Sequence, residues 1–175
     1  MGARWHSSSD ASRWPALAGA VLVLASAAQG AQTPGGLAAL PAVAIVVELE
    51  PEARPLSREL LERRLTASLA RAPGAPRADP ASRDRLRLAV GVERIGASDL
   101  RGFWLPFSGD YAVGTVRLAL ERPARLESSG ALLPVLVWAA DRPVATAWAR
   151  APEAILAAVD RVAESFRAAC AAAAP

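Results

Sequence analysis

Two stretches in the middle of the chain alternate apolar and polar residues with a period of two. The first is RLRLAVGVERI (85–95), which has leucine or valine at positions 86, 88, 90 and 92. The second is AVGTVRLALER (112–122), which repeats the alternation. This period is typical of half-buried strands. We expect the two strands to pair as an antiparallel hairpin with a long connection between them.

Three other stretches are predicted as strands. AVAIVVELE (42–50) begins with a run of apolar, largely β-branched residues, which indicates a buried central strand. PVLVWAAD (134–141) and VATAWA (144–149) are predicted as a second hairpin around Asp141-Arg142-Pro143. A three-residue loop, which we favour, would put Trp138 and Trp148 on one face, whereas a two-residue loop would put them on opposite faces.

Two segments have the spacing of amphipathic helices. The first begins at Ser57 and ends near Arg71, with leucines along one side. The second opens at Pro152, a residue favoured in the first turn of a helix, and ends near Cys170. Its apolar stripe consists of Ile155, Leu156, Val159, Val162, Ala163 and Phe166.

The order of these elements predicts an α+β fold. Both helices are amphipathic and the alternating strands have one polar face, so the simplest arrangement is a two-layer sandwich. We expect a mainly antiparallel sheet of about five strands with two helices on one face, in the order β-α-β-β-β-β-α. One domain would cover residues 42–171, between a flexible leader (29–41) and a disordered tail (172–175).

Residues 1–28 have the three-part layout of a secretory signal peptide. Arg4 and Arg13 precede an uncharged, mainly apolar run from Ala16 to Ala28, which ends in small residues. The run is shorter than the roughly 20 apolar residues of a membrane span, although an uncleaved anchor remains the alternative. No cysteine follows it, which excludes a lipid anchor at that site. We therefore expect a periplasmic or secreted bacterial protein.

The residue types that are missing limit the available chemistry. The chain has no lysine, and its one histidine, His6, lies in the predicted signal peptide. This argues against Ser-His-Asp catalysis, Schiff-base chemistry and nearly all zinc, copper or haem sites. The only cysteine, Cys170, cannot form an internal disulfide and is predicted to be a small buried side chain. We expect no enzyme activity, no cofactor and no metal.

The net charge and the carboxylates bear on two less favoured functions, nucleic-acid binding and hydrolysis. The net charge is only +3, with 17 acidic residues among the 20 arginines, so a nucleic-acid partner is not predicted. Asp99, Asp110 and Asp141 lie near predicted loops, and a pair of them could serve a small carboxylate-dependent hydrolase. The favoured interpretation is that these aspartates stabilise turns.

Two groups of residues are candidate binding surfaces. The stretch DLRGFWLPFSGDYAVG (99–114) contains four of the seven aromatic residues that follow the signal segment: Phe103, Trp104, Phe107 and Tyr111. These side chains either plug the sheet edge or contact a partner. Three arginines on the predicted open face of the sheet could bind an anionic ligand or be a solvated surface. They are Arg85, Arg87 and Arg117.

The pattern YAVGTVRLALERPARL, the strand in VLVWAADRPVATAWARAP and the final helix resemble small exported bacterial proteins of uncharacterised function. The order of elements over residues 42–170 is also similar to TolB-type N-terminal domains and to auxiliary lipoproteins of envelope transporters. The resemblance implies no catalytic residue. With the export signal, it leads us to expect a non-enzymatic envelope accessory or binding protein. Its partner would be an envelope protein or an anionic envelope component, with membrane attachment only if the N-terminal segment is uncleaved.

Overall fold

The structure, a computed structural model, describes residues 37, 40–51, 56–71, 74–96 and 109–173. These residues form a five-stranded sheet in the order β2-β1-β3-β4-β5, with two long helices. The elements are β1 (Ala42–Leu49), α1 (Arg58–Ala70), β2 (Arg77–Ala78), β3 (Arg85–Ile95), β4 (Tyr111–Arg125), β5 (Leu132–Ala147), a 3₁₀ turn (Trp148–Arg150) and α2 (Ala151–Ala173).

The sheet is mixed, but its long pairings are antiparallel. β4 pairs antiparallel with β3 on one side and with β5 on the other, whereas β1 runs parallel to β3 and to the short β2. Both helices pack on one face, and neither of them covers the other face, which we call the open face. The predicted α+β class, the mainly antiparallel sheet and the β3–β4 hairpin are therefore confirmed.

Two strands differ from the prediction. β2 is a short strand that the sequence did not predict, and the predicted second hairpin is wrong because residues 132–147 form a single strand. Pro143 does not turn the chain; it continues β5 opposite Thr115. β5 lies at the sheet edge, where a proline is tolerated because its nitrogen can point away from the neighbouring strand. The turn lies instead at residues 126–131, where Gly130 has a φ of 68°.

The two tryptophans of that predicted hairpin therefore lie in different elements and differ in burial. Trp138 lies in β5, where it is buried and pairs with Leu120 of β4. Trp148 begins the 3₁₀ turn and is half-buried. The ring of Phe166 in α2 packs on Trp138 with centroids 5.0 Å apart and planes at 56°. This tilted contact is a favourable arrangement for aromatic rings and holds α2 over β4 and β5.

Both helices follow the predicted apolar stripes. In α2, the side facing the sheet buries Ile155, Val159 and Val162. Cys170 is buried as predicted, and burial raises the pKa of its thiol to about 11. In α1, the hydroxyl oxygen of Ser57 accepts a hydrogen bond from the Leu60 N–H at 3.1 Å, which caps the helix at its predicted start.

The packed domain extends slightly beyond the predicted bounds. Leu37 and Leu40 lie in the segment predicted as a leader, yet both are buried against the core. At the other end, α2 continues to Ala173. The start of β1 is therefore covered by apolar residues that precede it.

A close approach of β3 and β4 requires glycine at position 114. A Cβ on Gly114 would lie 2.7 Å from the Cα of Val92, against backbone that cannot move aside. A Cβ on Gly91 would meet only the flexible carboxylate of Glu50. We expect Gly114→Ala to lower the free energy of unfolding by about 2–3 kcal/mol and Gly91→Ala to change it by less than about 0.5 kcal/mol. Urea unfolding measures both, and equal effects would contradict the strand contact.

The two helices are joined by an ion pair whose contribution depends on pH. Arg64 Nε and Nη2 donate to the Asp160 carboxylate at 2.9 and 2.6 Å, and these hydrogen bonds lower the pKa of Asp160. Since the folded pKa lies below the unfolded one, the pair stabilises the fold above about pH 4 and is lost as the pH falls through the lowered pKa.

Asp160→Asn should therefore destabilise the protein at pH 7 and have little effect in acid. Both side chains are about half exposed, so the expected loss at pH 7 is less than about 1 kcal/mol. Glu164→Gln, on an exposed position of the same helix, is the matched control and should change nothing. Chemical unfolding at pH 7 and pH 3 makes the comparison, and an Asp160→Asn effect that persists undiminished at pH 3 would contradict this account.

Candidate binding surface on the open sheet face

The face of the sheet without helices has small side chains at its centre and charged ones around them. The register places Ala89 opposite Arg117 and Arg85 opposite Glu121. It also places Arg117 opposite Asp141 and Ala119 opposite Ala139. Because strand side chains alternate between the two faces, the pattern that puts leucine and valine under the helices puts these residues on the open face.

Arg87 is the best-connected charge on this face. Its Nη1 donates to Glu48 at 2.6 Å and its Nη2 donates to Glu121 at 3.1 Å. The guanidinium therefore links β1 to β4 across β3. Charge-assisted hydrogen bonds of this kind are stronger than neutral ones. The Nε of the same group is buried without a hydrogen-bond partner among the described residues.

The three arginines predicted as an anionic patch do share one face, but they are not equally available. Arg87 is engaged by two carboxylates, and Arg117 has Asp141 at 3.8 Å. Arg85 is exposed and forms no ion pair with any residue in the described part of the chain. Binding of an anionic ligand stays a prediction, with Arg85 as the least compensated charge.

Most of the predicted aromatic surface lies outside the described residues. This holds for Phe103, Trp104 and Phe107, and also for Asp99. Tyr111 is described: it opens β4, is half-buried, and pairs with Ile95 and Ala147 on the flanking strands. We call the stretch 99–114 the aromatic segment. The position of Tyr111 shows at which end of the sheet this segment joins β4.

That end of the sheet is organised by Arg94, which the sequence did not single out. Arg94 Nε donates to Asp110 at 2.7 Å, and its guanidinium lies 5.4 Å from the ring centroid of Trp148. The ring and the carboxylate hold the cation from two sides. Alternation alone could not identify Arg94, since its partners come from residues far along the chain.

The remaining carboxylate candidates are not brought together. Asp110 precedes Tyr111, whereas Asp141 pairs with Arg117, six positions further along β4, which separates the two by roughly 20 Å. A glycosidase-type pair needs a separation of about 5–10 Å. Among the described residues, no group of three or more His, Cys, Asp or Glu side chains is placed to hold a metal ion.

The depressions on the described surface are shallow. One of about 170 Å³ lies on the open face between Glu48, Glu50 and Gly91. A broader one of about 470 Å³ runs along the outer side of α1, beside Glu59 and Arg63. Both are open to solvent, unlike the concave, mostly apolar cavities that bind small molecules.

The two ion pairs of Arg87 predict that its replacement costs more stability than replacement of Arg85. Arg87→Ala leaves Glu48 and Glu121 without their shared cation and should lower the free energy of unfolding by about 1 kcal/mol. Arg85→Ala, on the same strand and face, should stay within about 0.5 kcal/mol of the parent. Urea unfolding at low and high salt tests this, and an equal loss in both variants would contradict the role of Arg87.

Neither long helix among the described residues is both long and apolar enough to cross a membrane. The chain matches no protein-family model and no curated protein. Among solved structures it is similar to the crystal structure of the rare lipoprotein B from Shewanella oneidensis, with 16% identity and a TM-score of 0.32. The match covers 73% of this chain and 91% of the other. A likeness this low is compatible with an envelope accessory protein and carries no argument for one.

Proposed function

We propose that this chain is an exported, non-enzymatic accessory or binding protein of the bacterial envelope, acting in the periplasm or outside the cell. The observation that carries the proposal is the layout of residues 1–28, with two arginines, an apolar run and small residues ahead of an α+β domain. A chain with this layout is directed out of the cytoplasm.

A binding role is favoured over catalysis by the side chains available. Beyond residue 28 the chain contains neither histidine nor lysine. The described aspartates that could act as acid or base, Asp110 and Asp141, each lie beside an arginine and far from each other. General acid–base chemistry needs such groups gathered around one site.

We place the partner contact on the aromatic segment, at Phe103, Trp104, Phe107 and Tyr111. Tyr111 and Trp148 lie at the adjoining sheet end, where Arg94 joins Asp110 to the Trp148 ring. A rigid end of this kind reduces the entropy cost of presenting aromatic anchors to a partner. Aromatic residues are also the commonest energetic hot spots of protein interfaces. The partner class that fits is another envelope protein.

Truncation of the aromatic side chains tests this proposal. Trp104→Ala and Phe107→Ala should reduce co-purification of the envelope partner at least about tenfold while the thermal unfolding midpoint changes little. Val113→Ala, which truncates an exposed apolar side chain on neighbouring β4, is the matched control and should retain the partner.

Phe166→Ala shows how much stability is lost when an aromatic core side chain is removed, and it is the reference for the opposite outcome. Phe166 is fully buried, and Phe166→Ala should cost about 3–5 kcal/mol of stability. If Trp104→Ala and Phe107→Ala destabilise the protein to a similar extent, these side chains belong to the core and the contact surface proposed here is wrong.

A further inference from the structure

The β4–β5 hairpin extends past the rest of the sheet. Pairing between β3 and β4 stops at Arg85 and Glu121, but pairing between β4 and β5 continues to Arg125 and Leu132. We call residues 122–136 the hairpin arm. Its paired part projects roughly 13 Å beyond β3. Every residue from Pro123 to Leu136 is exposed except Gly130, which is half-buried.

The hairpin arm is apolar on both of its faces. The register puts Leu132 and Leu136 on the side of the open sheet face, and Leu133 and Val135 on the side of the helices. With Leu126 at the turn, these side chains are between 43% and 60% exposed. A protein groove generally covers one face of a strand pair. An apolar surface on both faces fits an environment that contacts both faces at once, such as lipid.

The backbone of the hairpin arm is also suited to lipid. Pro123 faces Pro134, and since neither has an N–H, each outer edge of the strand pair lacks one donor at this position. At the turn, the Leu126 N–H donates to Ala131 at 2.9 Å and the Gly130 N–H donates to Leu126 at 2.8 Å. Unsatisfied backbone groups are costly in hydrocarbon, and strand addition by a partner would need such groups free.

The charges of the hairpin arm nearly cancel. Arg122 donates to Asp84 at its base. Further out lie only one cation, Arg125, and one anion, Glu127. Arg125 Nε donates to the Gly130 carbonyl in the turn at 3.2 Å, so its long stem must release this bond to keep the charge in water while the leucines enter an apolar phase. Apolar contact, rather than attraction to an anionic surface, is therefore the expected source of binding.

The position of the N-terminal chain also favours a membrane as the partner of the hairpin arm. Ala44 pairs with Arg85, so β1 begins at the end of the sheet from which the hairpin arm projects. Leu37 and Leu40 are packed just before β1. Residues 29–36, which join them to the apolar run, can span at most roughly 28 Å. As long as residues 1–28 stay attached to the chain, a membrane that holds the apolar run lies within reach of the hairpin arm.

A second copy of the chain is a poorer occupant. At ~25 cal/mol per Å², burial of a whole leucine side chain at about 2–3 kcal/mol corresponds to roughly 80–120 Å². Five side chains of this size at half exposure therefore offer roughly 200–300 Å² of apolar surface. A stable dimer buries about 800 Å² on each partner. Shallow insertion into a bilayer surface, to a depth of about 5–10 Å, needs no larger area.

We propose that the hairpin arm docks on the phospholipid surface of a membrane, with Leu132, Leu133 and Leu136 in the apolar boundary. The proposal rests on the proposed function only in that an envelope location places the protein beside a membrane. Tyr111, the described residue of the aromatic contact, lies at the other end of β4 from the hairpin arm.

The test uses the full chain with an environment-sensitive fluorophore on one introduced cysteine, in a Cys170→Ala background. Leu133→Cys reports on the hairpin arm, and Glu93→Cys, exposed near the other end of β3, is the matched control. Vesicles of pure phosphatidylcholine should blue-shift the arm probe, and spin-labelled lipid should quench it, with neither effect at position 93. The control matters because the apolar run can bring the whole chain to the vesicle.

A variant separates the leucines from the rest of the chain. With the probe at Ser129→Cys, combining Leu132→Ser, Leu133→Ser and Leu136→Ser should raise the lipid concentration for half of the shift at least about tenfold. The unfolding midpoint should fall far less than for substitution of three core leucines, because about half of each of these side chains is exposed.

Three results would overturn the proposal. The first is an arm probe that stays in water with vesicles, and the second is a shift seen only when phosphatidylglycerol is added, which indicates binding by charge. The third is a shift without vesicles that grows with protein concentration, which indicates self-association. None of these affects co-purification through Trp104 and Phe107, so failure here and failure of the proposed function are separate observations.

Discussion

The register of β4 against β3 and β5 is the constraint on which the rest of the molecule depends. It places Leu118 between Leu88 and Ala140, so one face of three strands becomes a continuous apolar surface under α2. A slip of one residue would turn this whole set toward water. Gly114 permits the close approach of β3 and β4 within this register.

The unequal lengths of the strands follow from the same register and produce the surfaces available for binding. β3 ends its pairing at Glu121 while β4 and β5 continue, which creates the hairpin arm. At the other end, Tyr111 opens β4 beside the contact of Arg94 with Trp148. Tyr111 and the hairpin arm therefore lie at opposite ends of one long strand, separated by a sheet face whose charges are largely paired among the described residues.

Local periodicity was sufficient wherever the pattern reported on a single element. The bounds of β3 and α1 follow from alternation, helical spacing and the Ser57 cap, whereas β4 was predicted to end at position 122, three residues before its observed end at Arg125. The strand around Pro143 was misassigned because Asp141-Arg142-Pro143 has turn composition, and only the position of β5 at the sheet edge makes the proline compatible with a strand. The exposure of residues 132–136 could not be predicted, since an apolar run resembles a core strand until its neighbours are known.

The sequence by itself determined the fold class, because this class depends on periods of two and 3.6 residues. The export signal and the narrow range of chemistry are predictions from composition and from the layout of residues 1–28. Only the tertiary structure decided which charges are compensated and which leucines remain exposed. Arg87 meets Glu48 and Glu121 through pairing across three strands, and the hairpin arm is exposed because β3 does not accompany it. Such facts depend on contacts between residues distant along the chain, which no local pattern contains.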